Sequence, residues 1–327
     1  MKPRLSRRHF LSRLGGTTAA LGALNAVHGI ESAVPSQAAA VPVVDTHMHV
    51  WSDGTGTYPF AYPYGDKVAS PKAGQTPATD AILIDDMNAN GVTHSILVQV
   101  IYHGWDNTYV ADCVKRFPDR FRGHGLIDPT DPGVADKLEY WMKEHGLHGM
   151  RFSAIYYQNK DEWMTADFTK KLWEKARKLG AVFNFFIASK QLPTLEVMLK
   201  QYPEVPIIID HVSQIDLGAH SAEEDFRRLV RLERYPNVYV KVSELASVSA
   251  SKTYPFVDAY PWVKRLYEAF GGDRLLWGTG YPGSARAAYK RPPLEKELEL
   301  VREHIPCFRA EDRKKILGLN AARIWNL

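Results

Sequence analysis

Eight short apolar runs alternate with stretches of helical length along most of this chain. The first is VPVV at residues 41–44, leading into DTHMHVW. The others are His94–Val100, Arg120–Asp128, His148–Ala154, Ala181–Ala188, Val205–Val212, Val238–Leu245 and Arg274–Gly280. Between them lie amphipathic segments, among them Asp80–Asn90, Ala166–Leu179 and Phe256–Phe270, and Leu294–His304 and Glu311–Leu317 follow the last run. Continuous apolar runs suit strands buried on both faces, as in parallel sheets. Eight such units in residues 41–327 predict an α/β fold, a closed (β/α)8 TIM barrel. An open doubly wound sheet is the alternative. No glycine-rich phosphate loop follows any strand, which counts against it.

The chain has 327 residues, 45% of them hydrophobic, enough for one large core. It carries 41 basic and 37 acidic residues. Five of the basic and one of the acidic fall in residues 1–40, which leaves 36 of each. That balance gives no basic surface for nucleic acid.

Residues 1–40 read as a cleavable signal. Ser6-Arg7-Arg8-His9-Phe10-Leu11 carries a twin arginine, and a weakly apolar run from Leu14 to Ile30 follows. Ala38-Ala39-Ala40 offers small residues for cleavage. The segment resembles a bacterial twin-arginine signal. It predicts the twin-arginine export machinery as a partner and a periplasmic or secreted protein. The apolar run is too short for a stable membrane anchor. Cys113 and Cys307 are the only cysteines, without a Cys-x-x-Cys, and read as two buried thiols.

In a barrel of this kind the site lies at the C-terminal ends of the strands. Those ends carry His47 and His49, Gln99 with Tyr102 and His103, Arg151, Asn184, Asp210 and His211, Lys241, Ser243 and Glu244, and Thr279 to Tyr281. His47 and His49, two residues apart, share one face of a strand. With His211 they form a candidate three-histidine metal set for a divalent ion, zinc first. Asp210 and His211 are neighbours in a strand, so His211 is expected inward and Asp210 outward. Arg151 suits either a substrate carboxylate or a buried ion pair. His94, His145, His220 and His304 read as structural. Trp51, Tyr58, Phe60, Tyr62 and Tyr64 make the loop after strand one aromatic, for a ring-shaped small molecule or for a second copy of this chain.

In their order, DTHMHVW, LVQV, GMRFS, IIIDHVS, NVYVKVSEL and DRLLWGTGYP resemble the amidohydrolase-related family, its lactonase-like branch above all. The likeness runs from about residue 43 to the end. It implies a (β/α)8 barrel and hydrolysis of a lactone or related carbonyl compound, with or without a bound metal. Some relatives decarboxylate carboxylic acids with zinc, and a pocket kept for binding alone is the third option. From the strand ends and the aromatic loop, the candidate substrate contacts are Arg151, Gln99, Lys241, Trp51 and Tyr281. The family's strand-eight motif places an Asp where this chain has Gly280. Asp273, seven residues upstream, lies ~23 Å away along an extended strand and cannot replace it. Glu244 and His103 are the candidate replacement bases.

Overall fold

The computed structural model describes residues 41–65, 74–157 and 159–327. The expected signal at residues 1–40 lies outside them. Among the described residues, eight parallel strands form one sheet in sequential order. They are β1 (Val44–Met48), β2 (His94–Val98), β3 (Phe121–Leu126), β4 (Gly149–Phe152), β5 (Val182–Phe185), β6 (Ile207–Ile209), β7 (Val238–Lys241) and β8 (Leu275–Leu276). The sheet curls so that its ends meet. Met48 pairs with Gly280 across the seam. Thr46 N–H donates to Trp277 O at 3.1 Å, Gly280 N–H to His47 O at 2.7 Å and His49 N–H to Gly280 O at 2.8 Å. The predicted (β/α)8 barrel is therefore the observed fold.

Among the described residues, seven helices of nine residues or more surround it: α1 (Asp80–Asn90), α2 (Thr108–Arg116), α3 (Val134–Lys143), α4 (Asp167–Leu179), α5 (Leu192–Gln201), α6 (Ala222–Val230) and α7 (Tyr260–Phe270). α4 shows why they form. Thr169, Leu172, Trp173 and Ala176 recur at helical spacing and are buried, while Lys170, Lys171 and Glu174 face outward. Gly180, in the left-handed conformation, closes the helix as expected. No helix among the described residues is long and apolar enough to cross a membrane.

The lower interior of the barrel is filled by Val44, Ile96, Val182, Ile208 and Leu276. A final helix, Asn320–Trp325, was not expected from the sequence. Its Trp325 packs on this layer and donates Nε1–H to His124 Nε2 at 2.8 Å. With that end plugged, the opposite end is free to carry chemistry. Cys113 is buried and Cys307 only half-buried, so the expectation of two buried thiols holds for the first alone.

Candidate active site

Two chain reversals build the site. Strand β6 ends at Ile209, earlier than expected, and Asp210 is still extended. His211, Val212, Ser213 and Gln214 then all take positive φ, between 50 and 57°. Four consecutive non-glycine residues in the left-handed region are uncommon, and such strain concentrates at functional sites. Local bonds hold it. Ser213 Oγ–H donates to Ile187 O at 2.9 Å, and His211 Nδ1 lies 2.8 Å from Ser243 Oγ. Glu244, after β7, has φ 56° and begins a single helical turn at Leu245–Val248.

The first reversal overturns one expectation. Asp210 points inward, not outward, and it is fully buried. Arg151 Nε–H donates to its Oδ2 at 3.1 Å, and Asn184 Nδ2–H donates to its Oδ1 at 3.1 Å. Lys241 Nζ lies 3.0 Å from the same Oδ1. Strand alternation put Asp210 and His211 on opposite faces, but the left-handed turn swings His211 back to the same interior. Its ring sits 4.3 Å from that of His47, and the His47 ring sits 4.7 Å from that of His49.

The hydrogen bonds assign two tautomers. The Lys241 ammonium has only hydrogens to offer, so His47 Nδ1, at 3.0 Å, accepts. His47 Nε2 then carries the proton and donates to His49 Nε2 at 3.2 Å. His49 Nδ1–H donates to Val98 O at 2.7 Å. Burial disfavours a second proton on each ring. It holds His47 well below the usual imidazole range, His49 at about 3 and His211 at about 4, although Glu244 and Asp210 pull His211 upward.

Above these rings lies a cavity of about 260 Å³. His49, Arg151, His211 and Glu244 line it at the strand ends, Tyr281 and Arg291 from the chain after β8. Glu244 Oε2 accepts from Arg291 Nη2 at 2.8 Å, and Glu244 Oε1 lies 3.8 Å from His211 Nε2. Burial raises the Glu244 pKa, but His211 and Arg291 outweigh it and leave the carboxyl below its ordinary value. The guanidinium of Arg151 stacks on Phe186, 4.4 Å from the ring centre. A Cβ on Gly280 would stand 3.5 Å from Glu244 Oε1. A carboxylate from the turn after β7 thus reaches the space beside this glycine.

A family model described as "Amidohydrolase" matches residues 44–327. The chain belongs to the amidohydrolase family. A 4-sulfomuconolactone hydrolase of Hydrogenophaga intermedia is 29% identical over 286 residues, covering 86% of this chain and 88% of that one. An L-fucono-1,5-lactonase of Burkholderia ambifaria is 22% identical over 200 residues, 61% of this chain and 68% of that one. Among solved structures, a probable 2-pyrone-4,6-dicarboxylic acid hydrolase from Acinetobacter baumannii, with citric acid bound, aligns at TM-score 0.69 and 20% identity. It covers 87% of this chain and 99% of its own.

Several expected contacts of this amidohydrolase fall elsewhere. His103 is spent on the loop after β1. Its Nε2 accepts from Ser52 N–H at 3.3 Å and its Nδ1 faces Pro59 O at 3.2 Å, so it is not placed as a base. Gln99 Nε2–H donates to Asp106 O at 2.7 Å, outside the cavity lining. Trp51 is fully buried under Tyr102, Tyr281 and Tyr289. The aromatic loop packs on the segment after β2, with Phe60 and Tyr62 against Tyr102 and Tyr64 against Trp105, rather than lining the cavity. Lys241 lies beneath the histidines and does not reach the cavity surface. His94, His145, His220 and His304 do not line it either. Arg291 and Tyr156 were missed because loops bring them over the mouth, which strand spacing does not reveal, and Phe186, just past β5, because an apolar residue in a strand run reads as core.

A zinc ion, which the three histidines suggested, needs unprotonated ligand atoms about 2 Å from one point. Among the described residues, His47, Asp210 and His211 offer atoms within 4.8 Å of one another. The Lys241 ammonium, however, occupies the interval between His47 Nδ1 and Asp210 Oδ1. On the cavity side, the His47 Nε2 proton is directed at His49. Lys241 thus stands in competition with a divalent ion for His47 and Asp210, two of the three residues that could hold one.

Proposed function

We propose that this amidohydrolase hydrolyses a lactone bearing anionic substituents, with Glu244 as general base. One observation carries the proposal: Glu244 Oε1 occupies the space beside Gly280 and faces a cavity flanked by two guanidinium groups. Its lowered pKa keeps it ionised at neutral pH, the form that accepts a proton. The names of the relatives support the substrate class, since two of them act on lactones and one of those carries a sulfo group.

The reaction follows from the residues. Glu244 takes a proton from a water, whose oxygen attacks the lactone carbonyl. The positive charge of Arg151 stabilises the developing oxyanion. The ring C–O bond breaks, and the departing alkoxide takes the proton back from Glu244 to give a hydroxy acid. Arg291 holds Glu244 in place and presents its remaining charge to an anionic substituent. His49 and His211, both neutral, complete the wall as hydrogen-bonding groups.

Decarboxylation by a held metal is the weaker alternative, because Lys241 stands where the ion would compete. We also propose that the Arg7-Arg8 signal sends the folded protein out of the cytoplasm. Turnover of matched lactones with and without a carboxylate or sulfonate tests the substrate class. Faster hydrolysis of the anionic members is expected, and a preference for neutral lactones would refute it.

A further inference from the structure

Lys241 is fully buried at the centre of the barrel, an unusual place for an ammonium group. Its partners explain it. Nζ is 3.0 Å from His47 Nδ1 and 3.0 Å from Asp210 Oδ1, and those two atoms are themselves 3.6 Å apart. The cation thus caps both donors from one position. Asp210 is nearly saturated, with Lys241 and Asn184 on Oδ1 and Arg151 on Oδ2.

The charge balance points the same way. Arg151, Lys241 and Arg291 bring three positive charges to the site, and Asp210 and Glu244 bring two negative ones. The pocket is net positive before anything binds. A divalent cation would raise that charge in a buried setting, where like charges repel strongly. An anionic lactone would lower it.

We propose that Lys241 is a built-in cation that substitutes for a metal ion at the barrel centre and excludes divalent metals from the His47–Asp210–His211 cluster. It also fixes His47 as the Nε2–H tautomer. In this account Lys241 touches no substrate and is a positioning residue. The proposal does not rest on the lactonase assignment, because its readout is metal binding.

The test compares zinc binding by the native protein, Lys241→Met and Lys241→Arg, using calorimetry and elemental analysis after dialysis. Native protein should hold substoichiometric zinc and should keep its melting temperature in a chelator. Lys241→Met removes a positive charge ~3 Å from two ligand atoms, so it should gain one zinc with affinity raised ~10²-fold or more. Zinc should also raise its melting temperature. Lys241→Arg, which keeps the charge, should gain nothing. If Lys241→Met fails to fold, Lys241→Met with Asp210→Asn avoids an under-compensated buried carboxylate. That pair should fold and, having lost a ligand, show weaker zinc binding than a free three-residue site. The native measurements need no variant. Tight stoichiometric zinc in native protein, or zinc binding unchanged by Lys241→Met, would overturn the proposal.

Discussion

Glu244 Oε1 lies 3.5 Å from the point where a side chain on Gly280 would begin. The two positions thus compete for one place beside the histidines. Gly280 has φ 110°, a conformation L side chains rarely adopt. Gly280→Asp should therefore lower the melting temperature, since such strain costs roughly 1–3 kcal/mol. It would also set a second carboxylate against Glu244 and push one of them toward its protonated form. The rate should fall. In a Glu244→Gln background the same change should recover part of the lost activity. A Gly280→Asp enzyme that is faster and equally stable would contradict this competition.

Arg291 should matter more for charged substrates than for neutral ones. A hydrogen bond to a charged group contributes about 1.5–3 kcal/mol, or ~10–150-fold in affinity. Arg291→Met should raise KM by that order for lactones carrying a carboxylate or sulfonate. Neutral lactones should show mainly a kcat loss, because Glu244 loses its partner. Equal KM effects on both classes would remove Arg291 from substrate recognition.

Stability should fall on acidification from about pH 6.5. His49 and His211 titrate in the folded protein at about 3 and about 4, and half-buried His148 at about 4. Burial and the Lys241 charge also hold His47 and His124 well below the usual imidazole range. The unfolded chain binds protons on these groups at its ordinary imidazole pKa, so it gains protons first as pH drops. The contribution is fully present above about pH 6.5 and is lost progressively toward pH 4. Denaturant unfolding across that range should show proton uptake on unfolding. Flat stability between pH 7 and pH 4.5 would show that these rings are not buried as described.

The signal makes a separate prediction. Arg7→Lys with Arg8→Lys should block export and leave the purified protein's melting temperature and activity unchanged. Fractionation of cells expressing the double variant should find it in the cytoplasm. Normal periplasmic accumulation would defeat the twin-arginine assignment.

The barrel was legible because each strand is a short apolar run, and burial on both faces leaves that pattern in sequence. The histidine cluster was legible because His47 and His49 stand two residues apart at the end of β1 and His211 lies two residues past β6. Asp210 was misplaced because alternation assumes a continuing strand. The left-handed turn at residues 211–214 breaks that assumption, and no glycine announces it. Arg291 was invisible because it reaches the cavity by tertiary folding of the loop after β8. The plugging helix Asn320–Trp325 was missed for a similar cause. It continues from a preceding helix through wide-turn segments rather than starting at a cap.

The most direct test of the central claim is the pH dependence of kcat/KM for native protein and Glu244→Gln on an anionic lactone. A carboxylate base held below its ordinary pKa should give native enzyme an acid limb falling below pH ~4.3, with a plateau above it. Glu244→Gln should lose ~10²–10⁴-fold in rate and the acid limb with it. A Glu244→Gln enzyme that keeps both the native rate and the native acid limb would place the base elsewhere and contradict the account.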